Sequence, residues 1–302
     1  MPAVSDLDRA LGGVRAVLLD MDGVLVSKGR AIEGAGEAIA RLRRVKLPFR
    51  IITNTSLAAR ARLGQLLREG GIEIRDDEIV TALSATVARL TVEMPGGAIY
   101  LLGSRDAPEE FAGSGIRLLS EAELDGGTPV DAVVIGDSED RLTYENLNRA
   151  FRRVRDGAAF IAMHRNPWWL TPSGPTLDSG AMVVAVEYAT GRRATVAGKP
   201  QPTIFREAAD ELRRALARAT DGRADGPRPR LRRGEVLMVG DDLRSDLAPA
   251  RRLGMRTVLV LTGRHGEAEL AAARETRRGF VPDGVAPSLR EVTEALVAGR
   301  PE

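Results

Sequence analysis

The 302-residue sequence has no cysteine, two histidines, three lysines and only 4% aromatic residues. Without cysteine there is no thiol nucleophile, no disulfide framework and no thiolate metal site. His164 and His265 lie too far apart in sequence to form a local metal-binding pair, and their number excludes a histidine-rich zinc centre. No apolar run approaches the roughly 18 residues of a membrane span. The longest, Ala181 to Val186 and Thr257 to Leu261, have the length of strands. Met1 to Arg9 carries acidic residues and no basic stretch leading into an apolar run, which argues against a secretory signal. A soluble, cytoplasmic chain with no membrane partner is expected.

An excess of charge of one sign is also missing. Lys and Arg number 44 against 42 Asp and Glu, a formal net charge of +2. The high sequence pI, about 9.3, reflects a basic complement that is almost entirely arginine, which does not deprotonate in the working range. Arg41-Leu42-Arg43-Arg44 and the arginines between 228 and 233 therefore read as solvated helix faces and a loop, and nucleic acid is not an expected partner. What is present is enough for a substantial core: 43% of residues are hydrophobic. The length is twice a usual domain of about 150 residues.

The first strong pattern is the apolar run Val14 to Leu19, ending abruptly in Asp20-Met21-Asp22-Gly23, a buried strand entering a turn. Helical periodicity follows from Gly34 to Arg44, then a strand from Phe49 to Ile52 ending in Thr53-Asn54, then a helix predicted from Leu57 to Arg68. Strand, helix, strand in this order predicts a parallel sheet. From about residue 86 the texture changes to strand runs at 98–102, 131–135 and 158–162, alternating with helices, which reads as a second α/β unit inserted into the first. After it come Gly198-Lys199-Pro200, a helix, a Gly/Pro/Arg-rich loop over 221–234, and the strand Glu235 to Val239 ending in Gly240-Asp241-Asp242.

Asp20 and Asp22, two residues apart at a strand end, can face one site while Gly23 lets the chain turn. Carboxylates that close either share a proton or meet a metal; a simple polar turn is the alternative. In an open parallel sheet, ligands bind outside the carboxyl ends of the strands, where Thr53-Asn54 and Asp241-Asp242 also stand. Thr53 and Asn54 suit an anionic oxygen or, alternatively, cap a helix. Asp241, Asp242 and Asp246 offer oxygen ligands for Mg²⁺, with N-capping as the alternative for one or two of them. Lys199, one of three lysines, suits a phosphate as a compact ammonium near a helix N-terminus, with an ordinary surface lysine as the alternative.

The ordered set Asp20-x-Asp22-Gly, Thr53-Asn, Gly-Lys199-Pro and Gly-Asp241-x4-Asp246 resembles the haloacid dehalogenase superfamily, over nearly the whole chain. The position of the insert is similar to subclass IIA, the NagD-like proteins with a C2a cap. Leu142 to Asn148 and Glu187-Tyr188-Ala189 resemble its phospholysine, phosphohistidine and inorganic pyrophosphate phosphatase branch.

The resemblance implies an α/β fold: a Rossmann-like three-layer core over 1–85 and 194–302, and an inserted α/β cap over 86–193. It implies a Mg²⁺-dependent phosphatase of small phosphorylated molecules. Asp20 would form an aspartyl-phosphate, Asp22 would act as acid and base, and Lys199 would offset charge. Asp20, the Asp22 carbonyl and Asp241 would hold the metal, with Asp242 and Asp246 in support. Thr53, Asn54 and Gly23 would bind phosphate, and Asn166 and Trp169 of the segment His164 to Trp169 would contact substrate. Trp168 is expected to pack into the cap, and His164 stands where Asn is common. His265 reads as a surface residue. A cap that covers the site excludes a long polymer, and pairing through the cap into a homodimer is expected by analogy. A phospho-ligand sensor and a phosphotransferase to a non-water acceptor are the competing functions; the intact Asp20/Asp22 pair argues against the sensor.

Overall fold

The computed structural model describes residues 6–171, 174–220, 231–276 and 279–298, without the side chains of 139, 169–171, 219 and 220. The fold is α/β and contains two compact units. One comprises Met1–Thr53, Gly64–Val80 and Ile204–Glu302, and the other Asn54–Leu63 and Thr81–Thr203.

The first unit is a Rossmann-like core. Its six-stranded sheet runs in the order Gly284–Ala286, Arg256–Val260, Val236–Gly240, Ala16–Asp20, Phe49–Thr53, Ile79–Thr81. Ala16–Asp20 pairs in parallel with both Phe49–Thr53 and Val236–Gly240. These three central strands are buried along their whole length, as expected of a parallel sheet covered on both faces. The helix Ala35–Arg44 buries Ala35, Ala38, Ile39 and Leu42, a single face at spacings of three and four. Its arginines lie on the other side, where Arg41 pairs with Glu294 and Arg43 forks onto Glu78 and stacks on Phe49. The chain leaves Ala16–Asp20 toward one side of the sheet and later adds Val236–Gly240 on the other, so the strand order reverses between these two strands. Such a reversal opens a crevice at the carboxyl ends.

The second unit is also α/β, with a parallel five-stranded sheet in the order Thr195–Val196, Ala159–Ala162, Ala132–Ile135, Ala98–Leu102, Arg117–Leu118. Alternate residues point to opposite faces. Ile99, Leu101, Val134 and Ile161 pack with Leu83, Val87 and Leu90 of the helix Ala82–Glu93. Tyr100, Leu102, Val133 and Phe160 pack with Val154 and Val183 from the helices Tyr144–Arg155 and Ser179–Thr190.

The helix predicted from Leu57 begins instead at Arg60. The Ala59 N–H donates to Asp106 and the Arg60 N–H to Glu110, so two acids from about fifty residues downstream set its start. Of the Gly/Pro/Arg-rich loop, 221–230 lie outside the described residues; Arg233–Glu235 form a 3₁₀ turn closed by the Arg232 N–H on the Glu235 carboxylate. Among the described residues, no helix is long and apolar enough to cross a membrane.

Candidate active site

In the first unit, sheet register aligns the motif residues. Leu19 lies opposite Val239 and Asp20 opposite Ile52, so Asp20, Thr53 and Asp241 occupy adjacent strand ends at the reversal of strand order. Asp20 is 5% exposed, and its Oδ1 accepts the Met21 N–H at 2.7 Å. Thr53 is buried, whereas Asp22, beyond the strand, is exposed. Gly23 then turns the chain, its N–H donating to Val26 O at 2.7 Å.

Asp20, Asp241 and Asp246 each offer a carboxylate oxygen, all within 4.8 Å of one another, and all three side chains are buried. Three glycines make room for them. A Cβ on Gly23, which has φ +77°, would meet Asp241 Oδ2 at 2.1 Å; one on Gly263 would meet the same atom at 1.9 Å. One on Gly240 would meet Asp246 Oδ2 at 2.6 Å. Only a residue without a Cβ lets the backbone come this close. The Arg264 N–H donates to Asp241 Oδ2 at 2.6 Å, and Thr262 Oγ1 donates to Gly23 O at 2.5 Å. Thr262, Gly263 and Arg264 were missed in the sequence. Their one signal is that they follow a buried strand, Arg256–Val260, as the motif acids do.

Asp242 has a separate job. Its Oδ1 accepts the Arg244 and Ser245 N–H groups at 2.7 and 3.0 Å, capping the π-helical turn Leu243–Leu247 that carries Asp246. Burial pushes the Asp242 carboxyl up. The hydrogen bonds from Ser245 and Arg244, with His265 and Arg264 nearby, outweigh this and hold it below its ordinary value. His265 is not the surface residue expected: its Nδ1 accepts the Leu243 N–H at 3.0 Å, bracing the same turn, because the segment after Arg256–Val260 folds back onto Asp241.

The donor set at Asp20, Asp241 and Asp246 consists of carboxylates, the chemistry of a hard divalent cation. The converging charges and the glycine-lined space around them fit such an ion.

In the second unit, Asn54 and Lys199 are joined by two hydrogen bonds. Asn54 Nδ2 donates to Lys199 O at 2.9 Å, and the Lys199 N–H donates to Asn54 Oδ1 at 2.7 Å. The amide expected to meet an anionic oxygen thus grips the lysine backbone, and it caps no helix. Lys199 is 5% exposed. A Cβ on Gly198 would meet Asn54 Oδ1 at 2.5 Å and Met163 O at 2.7 Å, so glycine is required before the lysine.

Asn166 is half-buried, its N–H directed at His164 Nδ1 at 3.4 Å. Trp168 is 53% exposed and does not pack into the cap core as expected; its backbone lies on a short hairpin with Leu177 opposite. The Trp169 side chain lies outside the described residues. An open groove of about 670 Å³ beside Arg149, Arg152 and Arg153 holds none of the motif residues, and Arg149 is tied there to Asp125 and Glu145.

An acid cluster thus stands at the switch point of a parallel sheet, in a chain carrying a second α/β unit. Two family models match: haloacid dehalogenase-like hydrolase over residues 17–117 and HAD-hydrolase-like over 196–292. Haloacid dehalogenase-like hydrolase domain-containing protein 2 of Bos taurus is 36% identical over 85% of this chain and 87% of its own. Phospholysine phosphohistidine inorganic pyrophosphate phosphatase of Xenopus laevis is 34% identical over 89% of this chain and 91% of its own. The crystal structure of 4-nitrophenylphosphatase from Thermotoga maritima superposes with a TM-score of 0.79 at 28% identity, covering 97% of this chain and 99% of that one. The chain belongs to the haloacid dehalogenase-like hydrolases, subclass IIA.

Proposed function

We propose that the chain is a Mg²⁺-dependent phosphatase acting on small phosphorylated molecules through an aspartyl-phosphate on Asp20. Membership of the family and relatives named as phosphatases make it a phosphoric monoester hydrolase. The observation that carries the finer reading is the convergence of buried Asp20, Asp241 and Asp246 at the reversal of strand order.

In this reading Asp20, the Asp22 carbonyl and Asp241 would hold Mg²⁺, with Asp246 in support and Asp242 shaping the turn. When bound, the ion supplies positive charge that lets an anionic nucleophile approach an anionic phosphate. An Asp20 carboxylate oxygen forms a bond to phosphorus as the bond to the leaving oxygen breaks, and Asp22 gives that oxygen its proton. Asp22 then takes a proton from water, whose oxygen attacks phosphorus, releasing phosphate and restoring the Asp20 carboxylate. The exposure of Asp22 suits this alternation, because it must exchange protons with leaving group and water in turn. Thr53 and the Gly23 turn are assigned to the phosphate oxygens, and Lys199, fixed by Asn54, to neutralising the phosphate.

Residues 86–193 are assigned as the cap that selects the leaving group through Asn166 and Trp169, on a core of 1–85 and 194–302. Exposed Trp168 and Leu177, paired across a hairpin, and Val184 and Tyr188, one helical turn apart, support a homodimer through this unit. Light scattering of wild type against Tyr188→Glu checks this: a monomer in both removes it.

The function is tested by hydrolysis of p-nitrophenyl phosphate, pyridoxal phosphate, pyrophosphate, sugar phosphates and nucleotides, with and without Mg²⁺, alongside Asp20→Asn. Magnesium-dependent phosphate release that vanishes in the variant is the expected result. Full activity in Asp20→Asn would refute the nucleophile; no turnover on any substrate would leave a phosphate-binding sensor.

A further inference from the structure

A second cluster of titratable groups lies wholly within the second unit. Asp137 and His164 each stand two residues beyond the paired positions Ile135 and Ala162, so the parallel register sets them side by side. Asp178 caps the helix Ser179–Thr190 next to them. His164 is 1% exposed. Its Nε2 lies 3.1 Å from Asp137 Oδ2, 3.1 Å from Ser56 Oγ, 3.4 Å from Ser179 Oγ and 3.8 Å from Asp178 Oδ1. Ser56 Oγ donates to Asp137 Oδ2 at 2.8 Å and accepts the Asp137 N–H at 2.9 Å. The imidazole, the two carboxylates and the hydroxyls satisfy one another, so a proton serves here where a metal ion could.

These contacts close a ring. Ser56 is two residues past Asn54, and Met163, beside His164, accepts the Gly198 N–H at 2.8 Å. Gly198 precedes Lys199, whose N–H and C=O both bond the Asn54 side chain. The path Asn54, Ser56, His164, Met163, Gly198, Lys199 and back to Asn54 is therefore continuous, with the His164–Ser56 contact as its one side-chain-to-side-chain link. Gly136, beside Asp137, has no room for a Cβ, which would meet Met163 Sδ at 2.3 Å and Ser56 Oγ at 3.1 Å.

We propose that His164 is a positioning residue for Lys199: clamped between Asp137 and Asp178, it fixes Ser56 and thereby the Asn54 amide that holds the lysine backbone. The inference rests on the reading of Lys199 as the phosphate-neutralising group. It also accounts for a histidine at a position where Asn is common, since this ring faces the interior. The groups facing it are Asp137, Asp178, Ser56, Ser179 and the Asn166 N–H. The Nε2 proton is shared between Ser56 and Asp137, and ionisation of Asp178 adds a competitor for it, weakening the link to Ser56. Burial and the Asp137 carboxylate push the Asp178 carboxyl up to about 7, so that competition falls within the working range.

The test compares wild type with His164→Ala, Ser56→Ala and Asp178→Asn, using p-nitrophenyl phosphate as substrate and inorganic phosphate as competitive inhibitor. His164→Ala and Ser56→Ala are expected to lower kcat/KM by about 10- to 100-fold, the scale of a misplaced catalytic group. Phosphate inhibition should weaken in parallel. The wild type is expected to lose kcat/KM as pH rises through about 7, and Asp178→Asn to abolish that fall; an unchanged fall in Asp178→Asn removes the carboxyl from the clamp. Ser56→Ala removes only a hydroxyl, so it reports even if His164→Ala fails to fold. Kinetic constants and phosphate inhibition within about twofold of wild type in both alanine variants overturn the proposal. A wild type without turnover would instead refute the phosphatase reading; phosphate affinity by calorimetry then decides, and equal affinity in wild type and Ser56→Ala overturns the positioning role.

Discussion

Each unit gathers three titratable side chains at the carboxyl ends of a parallel sheet, with ligand atoms within 4.8 Å of one another. In the core unit all three are carboxylates; in the cap unit one is an imidazole. That substitution changes what the cluster can do. Asp20, Asp241 and Asp246 add negative charge to negative charge, an arrangement that a divalent cation completes. Asp137, His164 and Asp178 include a side chain that donates a hydrogen bond and is able to carry positive charge. Spacing alone does not distinguish a metal site from a closed polar network, and the charge of the partners does.

The difference can be broken most severely at Asp20. Asp20→Asn keeps the shape and removes the proposed nucleophile, and turnover should fall by at least about 10³-fold, roughly 4 kcal/mol in barrier. Steady-state kinetics with Mg²⁺ present checks this, and a tenfold loss or less would contradict the role. A smaller effect sharpens the contrast between the clusters. At about 100 times its Kd, Mg²⁺ should stabilise the wild type by about 2.7 kcal/mol, seen as a rise in Tm. Asp241→Asn should lose that rise, while Asp178→Asn should keep it. A lost shift in Asp178→Asn would place metal in the wrong unit.

The smallest effect is the pH dependence of stability. Burial opposes the charged form of His164, but the Asp137 hydrogen bond and both carboxylates outweigh it and raise its pKa; Asp178 is raised to about 7. Both groups hold protons more tightly folded than unfolded, so the stability they confer is lost as pH rises: between the ordinary carboxylate range and about 7 for Asp178, and above the ordinary imidazole range for His164. Asp137 is shifted the other way: burial is outweighed by hydrogen bonds from His164 and its neighbours, so its contribution is lost as pH falls below the ordinary carboxylate range. Scanning calorimetry from about pH 5 to 8.5 should show Tm falling toward the alkaline side in wild type, and falling less in Asp178→Asn. Equal slopes would remove the raised carboxyl.

Much of the core site was legible because its signals are local. An apolar run that stops at Asp20, at Thr53 or at Asp241 marks a buried strand and the residue that emerges from its end, and parallel pairing then aligns the ends. The cap cluster was not legible in that way. Ser56, Asp137, His164 and Asp178 are far apart in sequence, and each carries a common local role as turn, cap or loop residue. The same limit explains the helix start at Arg60, set by Asp106 and Glu110, and the exposure of Trp168, whose hydrophobicity predicts burial but whose hairpin leaves it facing solvent.

The longer strands and the acids at their ends were readable from the chain alone, since periodicity and abrupt polar stops are properties of neighbouring residues; the short strands Ile79–Thr81, Gly284–Ala286 and the hairpin Trp168–Thr171 with Gly174–Leu177 were not. That Asp246 joins the acid cluster while Asp242 caps the turn beside it emerges from folding. Folding also sets Asn54 to grip Lys199 and His164 to face inward. Those outcomes depend on which distant backbone N–H groups and carboxylates arrive within about 3 Å of one another, the reach of a hydrogen bond.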